Sequence, residues 1–142
     1  NGRGFAAALM LGAVGVQLGT RFLVARECNV HQVYKDMVIK AKDIDTIVTG
    51  KRLGHPVRSL KNAFSREFFS KEYNTGITNE ELEAFGAGAL KLAAVDGDEK
   101  NGCFMSGQIA GLINKQQTVK EIIEEMLLQA ESILNGAVKW VN

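Results

Sequence analysis

The sequence predicts an α/β chain, and three observations carry that reading. Gly12 to Phe22 is a short apolar run bounded by glycines that ends in a Gly-Thr turn. Such a run suits a buried parallel strand covered on both faces, although periodicity alone leaves a helix open. Thr46-Ile47-Val48-Thr49 is a β-branched run of strand length. Thr78 with Glu81 and Thr118 with Glu121 are Thr-x-x-Glu signatures, each opening a helix.

Taken in order, Gly4 to Leu11 is rich in helix formers, and Gly12 stands where it ends the helix. Apolar all round, this helix is expected to be buried. Inside the Gly12–Phe22 run, the corner at Gly19 and Thr20 is a candidate phosphate site. Gly19 admits a ligand close to the backbone, and the two peptide N–H groups with the Thr20 hydroxyl form a donor set for a phosphate. From those residues alone an ordinary strand-ending turn is the favoured reading, with the phosphate site as the alternative. Val24 to Asn29 is a connector, and His31 to Lys42 is a short amphipathic helix with Val33, Met37 and Ile39 inward. Gly50 and Gly54-His55-Pro56 punctuate the Thr46–Thr49 strand, and Val57 to Tyr73 is predicted helical.

The helix opened by Thr78 turns Leu82 and Phe85 inward and is broken at Gly86 and Gly88. Asp96 to Gly102 is a polar loop that lacks the position-twelve glutamate of a calcium loop. Cys103 to Gly107 is a returning segment, and Ile109 to Ile113 begins a helical turn. The closing helix sets Val119, Ile122, Ile123, Met126, Leu127, Ala130, Ile133 and Leu134 on one face, with Glu124, Glu125, Gln129 and Glu131 toward water.

A chain of 142 residues, 46% hydrophobic and 23% charged, has the length and composition of one globular domain with a sizeable core. The net charge of +1 sets up no basic field of the kind that nucleic-acid binders use. Phe5 to Val16, broken by Gly12 and Gly15, falls short of a membrane span and lacks signal-peptide flanks. Cys28 and Cys103 stand far apart with no metal-like spacing, as expected of reduced thiols in a cytoplasmic protein. His31 reads as a helix-capping residue and His55 as a turn residue. A Cys28–His31 nucleophile pair lacks a third, orienting group. Between Gly50 and Thr75, Lys51, Arg52, Arg58, Lys61, Arg66 and Lys71 face only Glu67 and Glu72, a local excess of positive charge.

Several segments in one order carry a family resemblance. They are Arg3-Gly4-Phe5-Ala6-Ala7-Ala8-Leu9, Gly15-Val16-Gln17-Leu18-Gly19-Thr20-Arg21-Phe22-Leu23, Glu27-Cys28-Asn29-Val30-His31, Lys42-Asp43-Ile44-Asp45-Thr46 and Gly102-Cys103-Phe104-Met105-Ser106-Gly107-Gln108-Ile109-Ala110-Gly111-Leu112. Together they resemble the flavin-dependent enoyl-acyl-carrier-protein reductases and the related nitronate monooxygenases. The reductase branch is the closer match at Glu27–His31 and Met105–Gln108.

The resemblance implies the C-terminal part of a TIM (β/α)8 barrel with FMN at its mouth and an inserted, mostly helical small domain. Residues 1–23 would be the last helix–strand unit with its phosphate-binding turn, 24–90 the insertion, and 91–142 the return to the barrel mouth with the closing helix. Complete barrels run to ~250 residues, so a fragment, a processed chain or one piece of a two-piece enzyme is expected. FMN is expected at Gly19, Thr20, Gln17 and Gly2, with Arg21 lending charge. Met105, Ser106 and Gln108 are expected beside the substrate or the flavin.

The family's catalytic histidine would lie upstream, so no catalytic residue and no metal site is expected here, and the piece alone should not turn over. The implied activity is NAD(P)H-dependent reduction of trans-2-enoyl thioesters in fatty acid synthesis. The cationic face, led by Arg58 and Lys61, would steer an acidic acyl carrier protein. The alternatives are a nitronate monooxygenase and a non-catalytic half-barrel that pairs with itself, or with a missing N-terminal half, to cover strand edges.

Overall fold

The first and last helices predicted from sequence pack against each other. The computed structural model describes residues 1–137 and 139. Helix α1 (Gly2–Met10) starts at Asn1, whose side chain accepts the Gly4 N–H at 3.0 Å. It lies on the closing helix, Val119–Ala137, which buries Ile122, Met126 and Ala130 of the predicted apolar face and leaves its Ile123, Leu127 and Ile133 exposed. The approach is close because Gly2 has no side chain. A Cβ there would stand 2.3 Å from Gln129 Cβ and 2.7 Å from the Met126 carbonyl oxygen.

Two expectations at this end are corrected. The first helix is not buried all round: Gly2 and Ala6 are its buried residues, and Leu11 just beyond it is 89% exposed. An apolar helix is buried only on the sides that something covers, and here α1 leans on one helix. The run from Gly12 to Phe22 is not a strand either. Residues 11–18 are irregular, with Val14 and Val16 exposed, and α2 (Thr20–Leu23) follows Gly19. A strand exists through its ladder, and among the described residues no neighbour pairs with this run.

Helix α3 (Gln32–Lys40) is capped by His31, whose Nδ1 accepts the Val33 N–H at 3.2 Å. Its fully buried stripe is Tyr34, Lys35 and Val38, with Val33, Met37 and Ile39 half-buried around the same core. The buried Lys35 ammonium donates to the carbonyls of Ala25 (2.7 Å) and Arg26 (3.3 Å), which meets the requirement that a buried charge be hydrogen-bonded.

Strands β1 (Thr46–Thr49) and β2 (Val57–Leu60) form an antiparallel hairpin, Thr46 opposite Leu60 and Thr49 opposite Val57. Gly50 opens the connection at φ +79°, and a Cβ there would meet the His55 carbonyl oxygen at 2.5 Å. The helix expected over Val57–Tyr73 therefore starts late, as α4 (Ala63–Glu72). Its start signal is Asn62, which exchanges capping bonds with Ser65, while the residues before it are captured by the β-branched partner strand.

Thr78 and Glu81 form the predicted capping box of α5 (Asn79–Gly86), and the break falls where Gly86 and Gly88 stand. Helix α6 (Ala89–Lys91) runs into a π-helical turn, Leu92–Asp96. Cys103 to Gly107 returns along β2: Leu60 N–H donates to the Phe104 carbonyl at 2.8 Å and Ser106 N–H to the Arg58 carbonyl at 3.0 Å. A 3₁₀ turn, Gln108–Leu112, leads to the closing helix, here α7, whose Thr118–Glu121 box is present.

Two hydrophobic clusters result. One gathers Val24, Tyr34, Val38, Leu60, Ala93, Phe104, Ala110 and Ile113, so residues on both sides of position 90 share one core. The other gathers Phe64, Phe68, Leu82, Ala89 and Cys103, with Phe85 stacked on Phe64 at 5.3 Å between ring centres. Among the described residues no helix is long and apolar enough to cross a membrane. Gly2→Ala should destabilise the fold by about 1–3 kcal/mol through overpacking of the α1–α7 crossing. The check is the denaturation midpoint; an unchanged value would contradict the crossing.

Candidate functional site

A cavity of about 490 Å³ opens between α1, the Val16–Arg21 segment, the 3₁₀ turn and α7. That volume lies within the range of small-molecule and cofactor sites. Of the residues expected to bind a cofactor, Gln17, Gly19 and Thr20 line it together, and Arg21 stands beside them. Gly2 does not line it. It lies under the α1–α7 crossing, and its N–H is already donated to Gln129 Oε1 at 3.1 Å.

Gly19 immediately precedes α2, and no atom lies within 4 Å of where its Cβ would stand. Nothing in the protein's own packing demands a glycine there, whereas a group seated against the backbone would. The first N–H groups of a helix have no intrahelical acceptor, which leaves that corner rich in donors. Thr20 Oγ1 accepts the Gly107 N–H at 2.9 Å, so its own O–H stays free to donate. This bond brings the Met105–Gln108 segment to the corner. Met105 is 36% exposed, Ser106 is buried with its N–H on the Arg58 carbonyl, and Gln108 is exposed at the start of the 3₁₀ turn.

Arg21 belongs to a network that no sequence pattern signalled. Its Nη2 donates to Gln117 Oε1, Gln117 Nε2 donates to Glu125 Oε2 at 2.7 Å, and Lys115 Nζ donates to the same oxygen at 2.8 Å. Arg21 Nη1 is buried and has no partner among the described residues. Burial lowers the guanidinium pKa and the nearby Glu125 carboxylate raises it in part; an arginine stays charged in either case. An unsatisfied cationic nitrogen, an open glycine corner and a free hydroxyl fit an anionic group such as a phosphate.

The other titratable candidates are occupied elsewhere. His31 caps α3, and His55 sits exposed in the turn between β1 and β2. Burial pushes the Cys103 thiol up, away from thiolate reactivity. Among the described residues no three His, Cys, Asp or Glu side chains gather as a metal would require.

Glu125 is held below the ordinary carboxylate range, first by its hydrogen bonds from Lys115 and Gln117 and then by the charges of Lys115 and Arg21. A lowered folded-state pKa contributes stability above the unfolded value, and the contribution is lost as pH falls through the lowered one. Acidification from about pH 6 to about pH 3 should therefore cost the wild type more stability than Glu125→Gln. Melting curves across that range give the comparison, and parallel curves would contradict it.

Four similarities to known proteins bear on the site. The nitronate monooxygenase family model matches residues 1–129. A probable nitronate monooxygenase of Staphylococcus saprophyticus is 35% identical over 136 residues, which are 95% of this chain and 38% of that protein. Among solved structures, FabK from Thermotoga maritima superposes with a TM-score of 0.92 at 42% identity, over 99% of this chain and 44% of that one. A nitroalkane oxidase from Streptomyces ansochromogenes follows at 0.72 and 26% identity, over 94% of this chain and 38% of that one. Both solved structures are TIM-barrel proteins, and the chain spans about two fifths of the length of these relatives. With that family's pattern running through the pocket-lining Gln17–Arg21 corner and the segment tied to it, the chain belongs to the nitronate monooxygenase family of oxidoreductases.

Proposed function

We propose that this chain is the C-terminal part of an FMN-dependent enoyl-acyl-carrier-protein reductase, reducing trans-2-enoyl thioesters with NAD(P)H in the cytoplasm. The observation that carries the proposal is the open corner at Gly19 and Thr20 on a cavity of cofactor size, beside an arginine nitrogen with no partner among the described residues. The 42% identity to FabK, against 35% for the staphylococcal relative, supports the reductase over its sister activity. The Gly19 and Thr20 amides and the Thr20 hydroxyl would hold the FMN phosphate, with Gln17 beside it and Arg21 balancing its charge. Bound there, the flavin would supply the hydride chemistry, while the chain's own residues would bind and orient the reactants and exclude water. Residues 24–90 would form the insertion and 91–142 the return that brings Met105, Ser106 and Gln108 beside the substrate.

The family model and the staphylococcal relative favour a second reading, nitronate monooxygenase. Assaying the flavin-loaded protein, completed by the upstream half of the barrel, with an enoyl thioester plus NAD(P)H and with a nitronate plus oxygen separates the two. The reductase reading fails if only the nitronate is consumed.

Titrating that protein with FMN tests the corner itself. Thr20→Val should weaken binding by about 10- to 100-fold, since a hydrogen bond to a charged group contributes about 1.5–3 kcal/mol. Unchanged affinity would refute Thr20 as a ligand.

Two cations of the proposed carrier face offer the cleanest test of docking. Arg58 Nη1 donates to Thr46 Oγ1, Lys61 Nζ to the Ile44 carbonyl and Arg52 to Asn79 Oδ1, while Lys71 pairs with Glu67. Lys51 and Arg66 are exposed, with no partner among the described residues. Reversing both, Lys51→Glu with Arg66→Glu, should lower kcat/KM about tenfold for carrier-bound substrate at low salt and leave a small thioester unaffected. Equal losses on the two substrates would discard the carrier face.

A further inference from the structure

We propose that Tyr34 is a positioning residue for the Met105 side of the site, acting through a single peptide plane. The inference rests on the reading of Met105 as substrate-facing. The peptide joining Met105 to Ser106 is gripped at both edges. Its carbonyl accepts the Tyr34 O–H at 2.6 Å, and its N–H donates to the Arg58 carbonyl at 3.0 Å. The next N–H along, that of Gly107, is the one received by Thr20 Oγ1. Two hydroxyls therefore tie three residues of chain between a core helix and the cofactor corner, with β2 alongside.

Tyr34 is suited to the task. Its ring is 1% exposed and meets Phe104 edge-on, with ring centres 4.9 Å apart at 77°. The packing holds the phenol where it stands, and burial raises its pKa well above the ordinary tyrosine value, so the group remains a donor. A peptide plane held at both its oxygen and its nitrogen cannot rotate without breaking one bond. The direction in which the half-exposed Met105 side chain leaves the backbone is set by that plane. Tyr34 touches neither cavity nor solvent and acts only through Met105, while Thr20 holds the far end of the same segment.

Tyr34→Phe keeps the ring and its packing and removes the oxygen. In the full chain without flavin, amide exchange at Ser106 should rise about tenfold while that at Leu60, bonded to Phe104, stays as it was. In the flavin-loaded protein, completed by the upstream half of the barrel, KM for the enoyl thioester should rise several-fold with kcat within about twofold and FMN affinity unchanged. Thr20→Val probes the other tie independently, freeing Gly107 to exchange while Ser106 stays protected. An unchanged Ser106 rate in a folded Tyr34→Phe protein, or equal changes in kcat and KM, would overturn the inference. A wild-type protein that retains no flavin would instead sink the functional reading, and with it the assignment of Met105 to substrate.

Discussion

The structure hangs on the backbone of Phe104 to Gly107 lying along β2. Phe104 is fully buried in one cluster, its neighbour Cys103 in the other, and the Phe104 carbonyl and Ser106 amide complete hydrogen bonds to the hairpin. A two-stranded hairpin alone is marginal in water. The returning segment adds a third strand's worth of bonds and carries an aromatic side chain into the core beneath it. Because this one stretch touches the hairpin, α3 and the Thr20 corner, its position is shared by both cores and by that corner.

The cavity's electrostatics follow from a similar economy. Four side chains, Arg21, Gln117, Glu125 and Lys115, are chained by hydrogen bonds, two cations to one carboxylate. The surplus positive charge sits partly desolvated on the wall beside Gly19. In a medium less polarisable than water, such a charge acts on a neighbouring anion more strongly than an exposed lysine would. The exposed cations of the Gly50–Thr75 stretch stand under the opposite condition, well solvated and screened.

Much of this was legible before any coordinates. The capping boxes at Thr78 and Thr118, the His31 cap and the break at Gly86–Gly88 are local events, each decided within four or five residues. The corner at Gly19 and Thr20 was legible as a donor set, and the cavity brings Gln17 to it. The misreadings share a cause. Val57–Leu60 has a composition that either element accepts, and pairing with Thr46–Thr49 decided it. Gly12–Leu18 has the composition of a buried strand but no paired neighbour among the described residues, so its pattern went unrealised. Gly2 was expected at the cofactor only through the family resemblance, and it lies instead under the crossing with Gln129 and Met126.

By itself, the sequence determined the helix starts at His31, Thr78 and Thr118, the break at Gly86–Gly88, and the apolar stripe of the closing helix. Those properties depend on side-chain chemistry and backbone preference over a turn or two, so they are written locally. Only the tertiary structure decided that Tyr34 reaches the Met105 carbonyl, that Thr20 receives the Gly107 amide, and that Arg21 has a nitrogen with no partner among the described residues. These partners lie 71 and 87 residues apart in the first two cases, and in the third none stands among the described residues. Relations of that kind arise from how elements pack, which no local pattern encodes.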